Sequence, residues 1–342
     1  MKIIDIANIN TEKIETSVLT RNTYISTENM MSNCGGVEVA SSIPTGKVTS
    51  FCKDDTLISN IRPYFKKVWY ARYNGGCSND VICVRTKSEV CLPAYLYYAL
   101  CTDKFIDIFS ASSKGTKMPR GDKNALLSYD IPDRTITEQQ HIVDILGSID
   151  EKIEQNEQII GELEKLMATK YLELVSGDCI TLKISDYVNV LTGKLDANAA
   201  VPNGIYPFFT CGITSEQIDY YAFDCEAIII AGNGNFNVKY YNGKFNAYQR
   251  TYVITATDYF HIIIQHYKNK VAEWTGSAKG SVIKFLTKSM LTDDEFQISS
   301  DKNRNNAYSM FCSASQEKIK HVQLLNAKLQ ELKAFYLKKF FC

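Results

Sequence analysis

The segment Thr137–Leu166 reads TEQQHIVDILGSIDEKIEQNEQIIGELEKL, and its apolar residues recur with alternating gaps of four and three. This spacing, held over several heptads, is typical of a helix that pairs along its length with another helix. Asn156 falls in the same seam, where a buried amide fixes the register of the pair. The sequence therefore predicts a long helix over residues 136–178. Its predicted pairing positions are Ile142, Leu146, Ile149, Ile153, Ile160, Leu163 and Met167.

A second segment with the same spacing, SASQEKIKHVQLLNAKLQELKAFYLKKFF, predicts a shorter helix over residues 313–342. Residues 136–178 carry 3 Lys/Arg against 10 Asp/Glu, whereas residues 316–342 carry 6 against 2. Opposite charges favour pairing of two helices, so we expect these two to form an antiparallel coiled coil. The pairing positions predicted on the second helix are Val322, Leu325, Leu329, Leu332 and Tyr336.

The start of each helix carries a capping-box pattern. Thr137 is followed by Gln140, and Ser313 by Gln316, at the spacing with which a hydroxyl and an amide satisfy free N–H groups. These pairs predict where the two helices begin.

The chain also repeats itself ahead of each helix. The segments KGTKMPRGDKNALLSYDIP, from Lys114, and KGSVIKFLTKSMLTDDEFQI, from Lys279, start 165 residues apart and share an opening Lys-Gly-hydroxyl triplet. The segments Asp55–Arg85 and Glu226–Thr255 repeat an order of strands and Gly/Asn turns, including a hairpin turn predicted at Asn242-Gly243. A repeat this long indicates a duplicated globular domain, not a solenoid.

These patterns predict an α+β fold with two similar domains, at residues 1–135 and 179–312, separated by the two long helices. With 342 residues and 45% hydrophobic content, the chain is long enough for a core in each domain. The N-terminus lacks the apolar run of a signal peptide, and no stretch is long and apolar enough for a membrane span. The eleven cysteines include no CxxC pair, so we expect reduced thiols, no metal site and a cytoplasmic protein.

Basic, amide and aromatic residues cluster on equivalent turns of the two repeats. Arg and Asn pair with the edges of guanine and adenine, and Lys binds phosphates, so these clusters are candidates for DNA binding. In the first domain the candidates are Asn60, Arg62, Tyr64, Lys66, Lys67, Asn79, Lys114, Lys117 and Arg120. In the second domain they are Asn233, Asn235, Asn237, Lys239, Gln249, Arg250 and Lys279.

The sequence predicts no catalytic residue. The Gly232-Asn233-Gly234 run lacks the Lys-Ser/Thr pair of a phosphate-binding loop. No Asn-Pro-Pro-aromatic tetrapeptide, which amino-methyltransferases require, is present, and neither a Ser/His/Asp grouping nor a carboxylate pair is evident. We therefore expect a binding protein that is not itself an enzyme.

Taken together, the chain resembles the specificity (S) subunit of Type I restriction-modification systems along essentially its whole length. The resemblance is most specific in the strand-turn segment Leu57–Arg85, the loop Lys114–Arg120, the helix Thr137–Leu166 and the segment Ile228–Ile254. It implies two target-recognition domains, each of which reads one half of a bipartite site on double-stranded DNA.

The resemblance also implies partners. The two helices would pair as a spacer and would dock two methyltransferase (modification) subunits, which bring S-adenosylmethionine. Restriction/translocase subunits, where present, would bring ATP and magnesium. The chain itself would hold no cofactor.

Two other classes fit parts of the pattern. One is the DNA-recognition part of a different modification system, such as a self-contained modification enzyme, but the chain leaves no room for a cofactor-binding domain. The other is a coiled-coil scaffold with no role at DNA, which leaves the duplicated basic and aromatic turns unexplained.

Overall fold

The computed structural model describes residues 1–87, 89–115, 117–277 and 285–342. The chain divides into two compact units. Unit 1 comprises Met1–Asn156 and Leu324–Cys342, and unit 2 comprises Glu157–Gln323. The division crosses both long helices, so each unit contains a part of each helix.

Unit 1 is built from two small sheets and four short helices that precede the first long helix. The strands are β1 (Ala7–Ile9), β2 (Lys13–Glu15), β3 (Tyr24–Ile25), β4 (Lys47–Phe51), β5 (Thr56–Ser59), β6 (Val68–Tyr70), β7 (Gly75–Cys77) and β8 (Val81–Thr86). The helices are α1 (Ile3–Ile6), α2 (Pro93–Leu100), α3 (Asp103–Ala111), α4 (Lys123–Ser128) and the long α5 (Ile136–Leu174). The strand orders are β1-β8-β5-β6 and β2-β4-β7-β3. Helices α2 and α3 cover the first sheet, because their buried faces join its apolar side chains in one core.

Unit 2 has one larger sheet and one strand pair. The strands are β9 (Cys179–Lys183), β10 (Val188–Thr192), β11 (Tyr206–Phe209), β12 (Glu216–Ile218), β13 (Phe223–Ala231), β14 (Val238–Ala247), β15 (Thr251–Ala256) and β16 (Glu295–Ser299). The helices are α6 (Phe260–Ser277), α7 (Lys288–Thr292) and the long α8 (Lys302–Phe341), which continues into unit 1. The strand orders are β10-β15-β13-β14-β11-β12 and β16-β9.

The duplication predicted from the sequence extends to strand pairing. In unit 1, β5 pairs antiparallel with β6 and β8, and β7 pairs parallel with β3. In unit 2, β13 pairs antiparallel with β14 and β15, and the end of β14 pairs parallel with β11. Strand β14 thus pairs antiparallel with β13 as β6 pairs with β5, and pairs parallel with β11 as β7 pairs with β3.

The prediction of a hairpin turn at Asn242-Gly243 is wrong. Strand β14 runs through both residues and ends only at Ala247. Gly243 adopts a φ of 136°, which is accessible to glycine, so the strand continues past it and pairs with β11. The Asn-Gly pair therefore lies within a long strand instead of ending it.

The first long helix begins close to its predicted position but uses a different cap. The Thr135 N–H donates to the Glu138 carboxylate (2.8 Å), and the Glu138 N–H donates to the Thr135 hydroxyl (3.3 Å). This is a capping box two residues before the predicted Thr137–Gln140 pair. Both pairs have the correct spacing, and the glutamate makes the charged, stronger contact.

The second long helix begins eleven residues before the predicted start at residue 313 and is 40 residues long, against 39 for α5. Asp301 caps it by accepting a hydrogen bond from the Asn303 N–H (2.8 Å). The predicted cap Ser313 lies inside the helix. The start was missed because the polar first turns hold few apolar residues, yet Asn305 is buried and bonds both backbone groups of Ser299.

In unit 1, α5 and α8 run antiparallel and are joined by polar pairs. The Asn156 amide donates to the Asn326 amide oxygen (2.6 Å), and the Lys333 ammonium meets the Asp150 carboxylate (2.6 Å). Tyr98 on α2 also donates to Asp150 (3.0 Å). The core of unit 1 therefore connects to the helix pair through partnered polar groups that are buried or partly buried.

In unit 2, the same two helices also run antiparallel, but the contacts are largely apolar. Met167 and Tyr171 on α5 lie in one core with Tyr308, Cys312 and Ile319 on α8. The Tyr308 hydroxyl donates to the Met167 carbonyl (3.3 Å). With both units described, the predicted fold class is confirmed: an α+β chain whose two long helices pair antiparallel.

The predicted pairing positions differ in burial. The buried ones are Ile142, Leu146, Ile149, Met167 and Val322, and the partly buried ones are Ile153, Ile160, Leu163, Leu329 and Tyr336. Leu325 and Leu332 were predicted wrongly, because they are 36% and 42% exposed. The buried face of α8 passes instead through Asn326 and Lys333, which are next to them in sequence. These polar residues occupy the seam because each has a partner on α5.

Among the described residues, no helix combines the length and the apolar character needed to cross a membrane. Within the same ranges, no three His, Cys, Asp or Glu side chains are grouped so that they could hold a metal ion.

Candidate nucleic-acid interface

In unit 1, two loops that are distant in sequence form one surface. We call it loop surface 1: residues 60–66 together with 114–115 and 117–121. The Asn60 N–H donates to the Asp80 carbonyl (2.8 Å), and the Asn60 carbonyl accepts from the Gly121 N–H (3.1 Å). Ile61 and Arg120 form an isolated β-bridge. These backbone bonds fix the two loops against each other and against the turn at residues 78–80.

The backbone of loop surface 1 is bent at two non-glycine residues. Arg62 and Lys66 adopt φ values of 48° and 53°, in the left-handed region, on either side of the short 3-10 turn Pro63–Phe65. The Arg62 N–H donates to the Pro119 carbonyl (2.9 Å), which ties this bend to the second loop. Non-glycine residues in this region are uncommon and are concentrated at functional sites.

Several predicted DNA-binding residues lie on the open side of loop surface 1. Arg62, Tyr64, Lys114, Lys117 and Arg120 are all exposed. Tyr64 is 55% exposed, and its ring contacts the ring of Phe65, which is 40% exposed (centroids 4.8 Å apart). Exposed cations beside exposed aromatic rings suit contacts with both phosphates and bases.

Two of these cations are paired with carboxylates at the surface. Arg120 contacts Asp80 (2.9 Å), and Lys114 contacts Asp122 (3.5 Å). Both cations stay more than half exposed, and surface pairs of this kind contribute little free energy, so either cation remains able to bind a phosphate.

The other two predicted cations of unit 1, Lys66 and Lys67, and the predicted residue Asn79 make contacts within the unit. Lys66 pairs with Asp103 at the start of α3 (2.6 Å), and its side chain is largely buried. The Lys67 ammonium donates to the Thr27 carbonyl (2.6 Å), and burial lowers its pKa. Asn79 accepts a hydrogen bond from Lys13 (3.1 Å).

Unit 2 repeats this backbone framework in what we call loop surface 2, residues 232–237 with 285 and 286. The Gly232 N–H donates to the Arg250 carbonyl (2.9 Å), and the Gly232 carbonyl accepts from the Leu286 N–H (2.8 Å). Asn233 and Phe285 form an isolated β-bridge. Each of these bonds has its counterpart in loop surface 1.

The shared framework shows which positions are equivalent. Gly234, with a φ of 74°, follows the bridge as Arg62 does in unit 1. Phe285 stands where Arg120 stands. The two units therefore present different side chains from one backbone arrangement.

The predicted residues of unit 2 also divide into exposed and engaged ones. Those exposed or partly exposed around loop surface 2 are Asn233, Asn235, Gln249 and Arg250. The Asn237 amide donates to the Cys211 carbonyl (3.1 Å), and the Lys239 ammonium donates to the Gly212 carbonyl. Burial lowers the pKa of Lys239. Its ammonium is bonded within the protein, so it is less available to a ligand than an exposed lysine is. Lys279 lies outside the described residues.

The sequence reasoning did not single out Phe285, an exposed aromatic residue in loop surface 2. Phe285 is 64% exposed. A signal for it was present, because the 165-residue offset between the repeats places Phe285 opposite Arg120. In the second repeat, the candidates chosen were all charged or amide residues, so Phe285 was overlooked.

Comparisons with known proteins identify chains that are similar to this one. The family model for the Type I restriction modification DNA specificity domain matches residues 1–165. The chain is 43% identical over 120 residues to the specificity subunit of the Type I restriction enzyme EcoDI from Escherichia coli. It is 28% identical over 199 residues to the HindI specificity subunit from Haemophilus influenzae. These matches cover 34% and 53% of this chain, but only 26% and 43% of the two relatives.

A solved structure shares the fold. The crystal structure of the S subunit of a Type I restriction-modification system from M. genitalium superposes with a TM-score of 0.61 at 16% identity. The match covers 100% of this chain and 95% of that one. The similarity to the Type I restriction modification DNA specificity domain thus lies in residues 1–165, the part of the chain that the family model matches.

Proposed function

We propose that this chain is the DNA-recognition subunit of a Type I restriction-modification system. Each unit reads one half of a bipartite site on double-stranded DNA, through its own loop surface. The observation that carries the proposal is the repeated backbone framework, which displays base-pairing and phosphate-binding side chains in both units.

In this proposal the chain is not catalytic. Two modification subunits supply the adenine-methylating site and S-adenosylmethionine, while restriction/translocase subunits, where present, supply ATP hydrolysis with magnesium. The complex works in the cytoplasm, where the DNA is. The paired helices α5 and α8 set the distance between the half-sites and dock the modification subunits. The exposed apolar residues of α8 in unit 1, which support docking, are Leu324, Leu325, Leu332 and Phe335.

The chain alone is expected to bind DNA weakly. Its net charge is zero, and in the described part of the chain Lys66, Lys67 and Lys239 are engaged in internal bonds. Few phosphates can therefore be neutralised by the chain itself. Modification subunits would add phosphate contacts when they enclose the duplex.

The test is DNA binding measured against salt concentration, with and without the modification subunits, on a duplex that carries a site found by methylome sequencing. We expect tight, site-specific binding only for the complex. Equally tight binding by the lone chain contradicts the proposed dependence on partners. If deleting the gene leaves the methylome unchanged, the scaffold alternative is favoured over a role in recognition.

A further inference from the structure

Phe285 occupies a defined place on loop surface 2. Its backbone is held by the bridge to Asn233, and the next residue, Leu286, donates its N–H to the Gly232 carbonyl (2.8 Å). The ring is nevertheless 64% exposed. A large apolar side chain on a fixed backbone would gain free energy if a ligand covered it, so Phe285 is suited to an apolar contact.

The neighbouring side chains indicate which chemical groups that ligand presents. Asn233 and Asn235 lie on the same loop surface, and both are at least partly exposed. Amide side chains pair with the adenine edge in the major groove, where the C5 methyl of thymine is the apolar group. An aromatic ring beside two amides therefore fits an A·T base pair.

Unit 1 differs at the equivalent positions. Arg120 stands where unit 2 has Phe285, and Arg62 stands where unit 2 has Gly234. Guanidinium groups pair with the O6 and N7 of guanine or bind phosphates, and they do not select a methyl group. At this one framework position, the apolar side chain is thus specific to loop surface 2.

We propose that Phe285 is a specificity-determining residue, and that its ring packs on the C5 methyl group of a thymine in the half-site read by unit 2. This inference rests on the proposed function and adds the class of base that unit 2 selects.

The test uses the complete complex with its modification subunits and duplexes that carry its methylation-mapped site. Each thymine of a half-site is replaced in turn by deoxyuridine, which removes only the methyl group. For the unchanged protein we expect one such position to weaken binding by about 3- to 10-fold, as loss of one buried methyl group implies. Phe285→Ala should bind the thymine and deoxyuridine duplexes equally well.

Phe285→Leu is the matched control, because it keeps an apolar side chain and should retain most of the preference for thymine. Thermal melting of both variants checks that they fold. An unchanged deoxyuridine penalty in Phe285→Ala overturns the inference, as does a site in which no thymine is sensitive. If the complex binds no bipartite site at all, the proposed function itself has failed.

Discussion

Units 1 and 2 share a backbone plan and differ in the chemistry placed on it. Loop surface 1 presents the guanidinium groups of Arg62 and Arg120, whereas loop surface 2 has Gly234 and Phe285 at those positions. The helix pair shows a similar contrast, because its part in unit 1 contains a partly buried ion pair and its part in unit 2 is mostly apolar. Backbone bonds and turn conformations thus define the shared scaffold, and the side chains on it are free to diverge.

The largest effect is expected from the ion pair of unit 1. Lys333→Met leaves the Asp150 carboxylate without its cation in a largely buried site, which should lower the free energy of unfolding by about 3–5 kcal/mol. In unit 2, Tyr308→Phe removes one hydrogen bond to Met167 and should cost about 1 kcal/mol. Urea unfolding of both variants measures the difference.

Lys328→Met is the matched control, because Lys328 is exposed on the same helix and its loss should cost little. Combining Lys333→Met with Asp150→Leu should recover part of the loss, since no unpaired charge remains. Equal stability of Lys333→Met and Lys328→Met would show that the ion pair does not hold unit 1 together.

The same lysine predicts a pH dependence. Burial alone would lower the pKa of Lys333, but the Asp150 carboxylate beside it outweighs burial and raises the pKa above the ordinary value of 10.5. The charge therefore stabilises the fold fully below about pH 10.5, and this contribution is lost as the pH rises through the higher folded value. Unfolding from pH 8 to 12, compared with Lys333→Met, should show the difference between the proteins shrinking at the alkaline end.

Substitutions at the equivalent positions Gly232 and Asn60 should destabilise the two units to different extents. A Cβ atom at Gly232 would lie 2.5 Å from the Arg250 carbonyl oxygen, so Gly232→Ala should destabilise unit 2 by about 1–3 kcal/mol. The equivalent residue in unit 1, Asn60, already has a side chain. Its Oδ1 has no hydrogen-bond partner among the described residues, so Asn60→Ala should cost less. Thermal melting measures both losses, and equal losses would show that Gly232 is under no steric constraint that Asn60 lacks.

Base reading by loop surface 1 should depend on Arg62. Arg62→Ala should relax the choice of base at one position of one half-site by about 1–3 kcal/mol. Arg62→Lys keeps the charge but cannot make two parallel hydrogen bonds to guanine, so it should relax the same position while preserving overall affinity. Methylation mapping of both variants is the measurement. An unaltered site in both would mean that Arg62 does not contact a base.

A smaller effect separates exposed from engaged lysines. Lys114→Ala should weaken binding to all sites alike and reduce the slope of log affinity against log salt by about 1. Lys239→Ala should leave that slope unchanged, because its ammonium is bound to the Gly212 carbonyl. Salt titration of the complete complex distinguishes them. Identical slopes for the two variants would show that Lys114 and Lys239 do not differ in their contribution to phosphate binding.

Much of the scaffold could be predicted from the sequence, because its signals are local or periodic. The heptad spacing from Ile142 onward located α5, and the two pairs of repeated segments located both loop surfaces. The start of α8 and the turn at Asn242-Gly243 could not be predicted. The first depends on the contact between Asn305 and Ser299, and the second on pairing with the distant strand β11.

Side-chain roles in the candidate site were less predictable, since each depends on a partner far along the chain. Lys66 and Arg120 look alike in sequence, yet one is largely buried against Asp103 and the other is mostly exposed. The burial of Asn326 and Lys333 in place of Leu325 and Leu332 has the same origin, because α5 supplies their partners.

The central claim is that half-site identity belongs to the units and half-site spacing to the helices. Methylation mapping of two altered complexes tests it most directly. In one, residues 1–132 are exchanged for the corresponding domain of another specificity subunit. In the other, one heptad is inserted into α5 after Asn156 and one into α8 before Leu324, which lengthens the pair by about 10.5 Å, close to three base pairs. The account predicts that the exchange changes the bases of one half-site only, and that the insertions widen the gap while both half-sites keep their bases. Insertions that change the bases read, or an exchange that changes both half-sites, would contradict it.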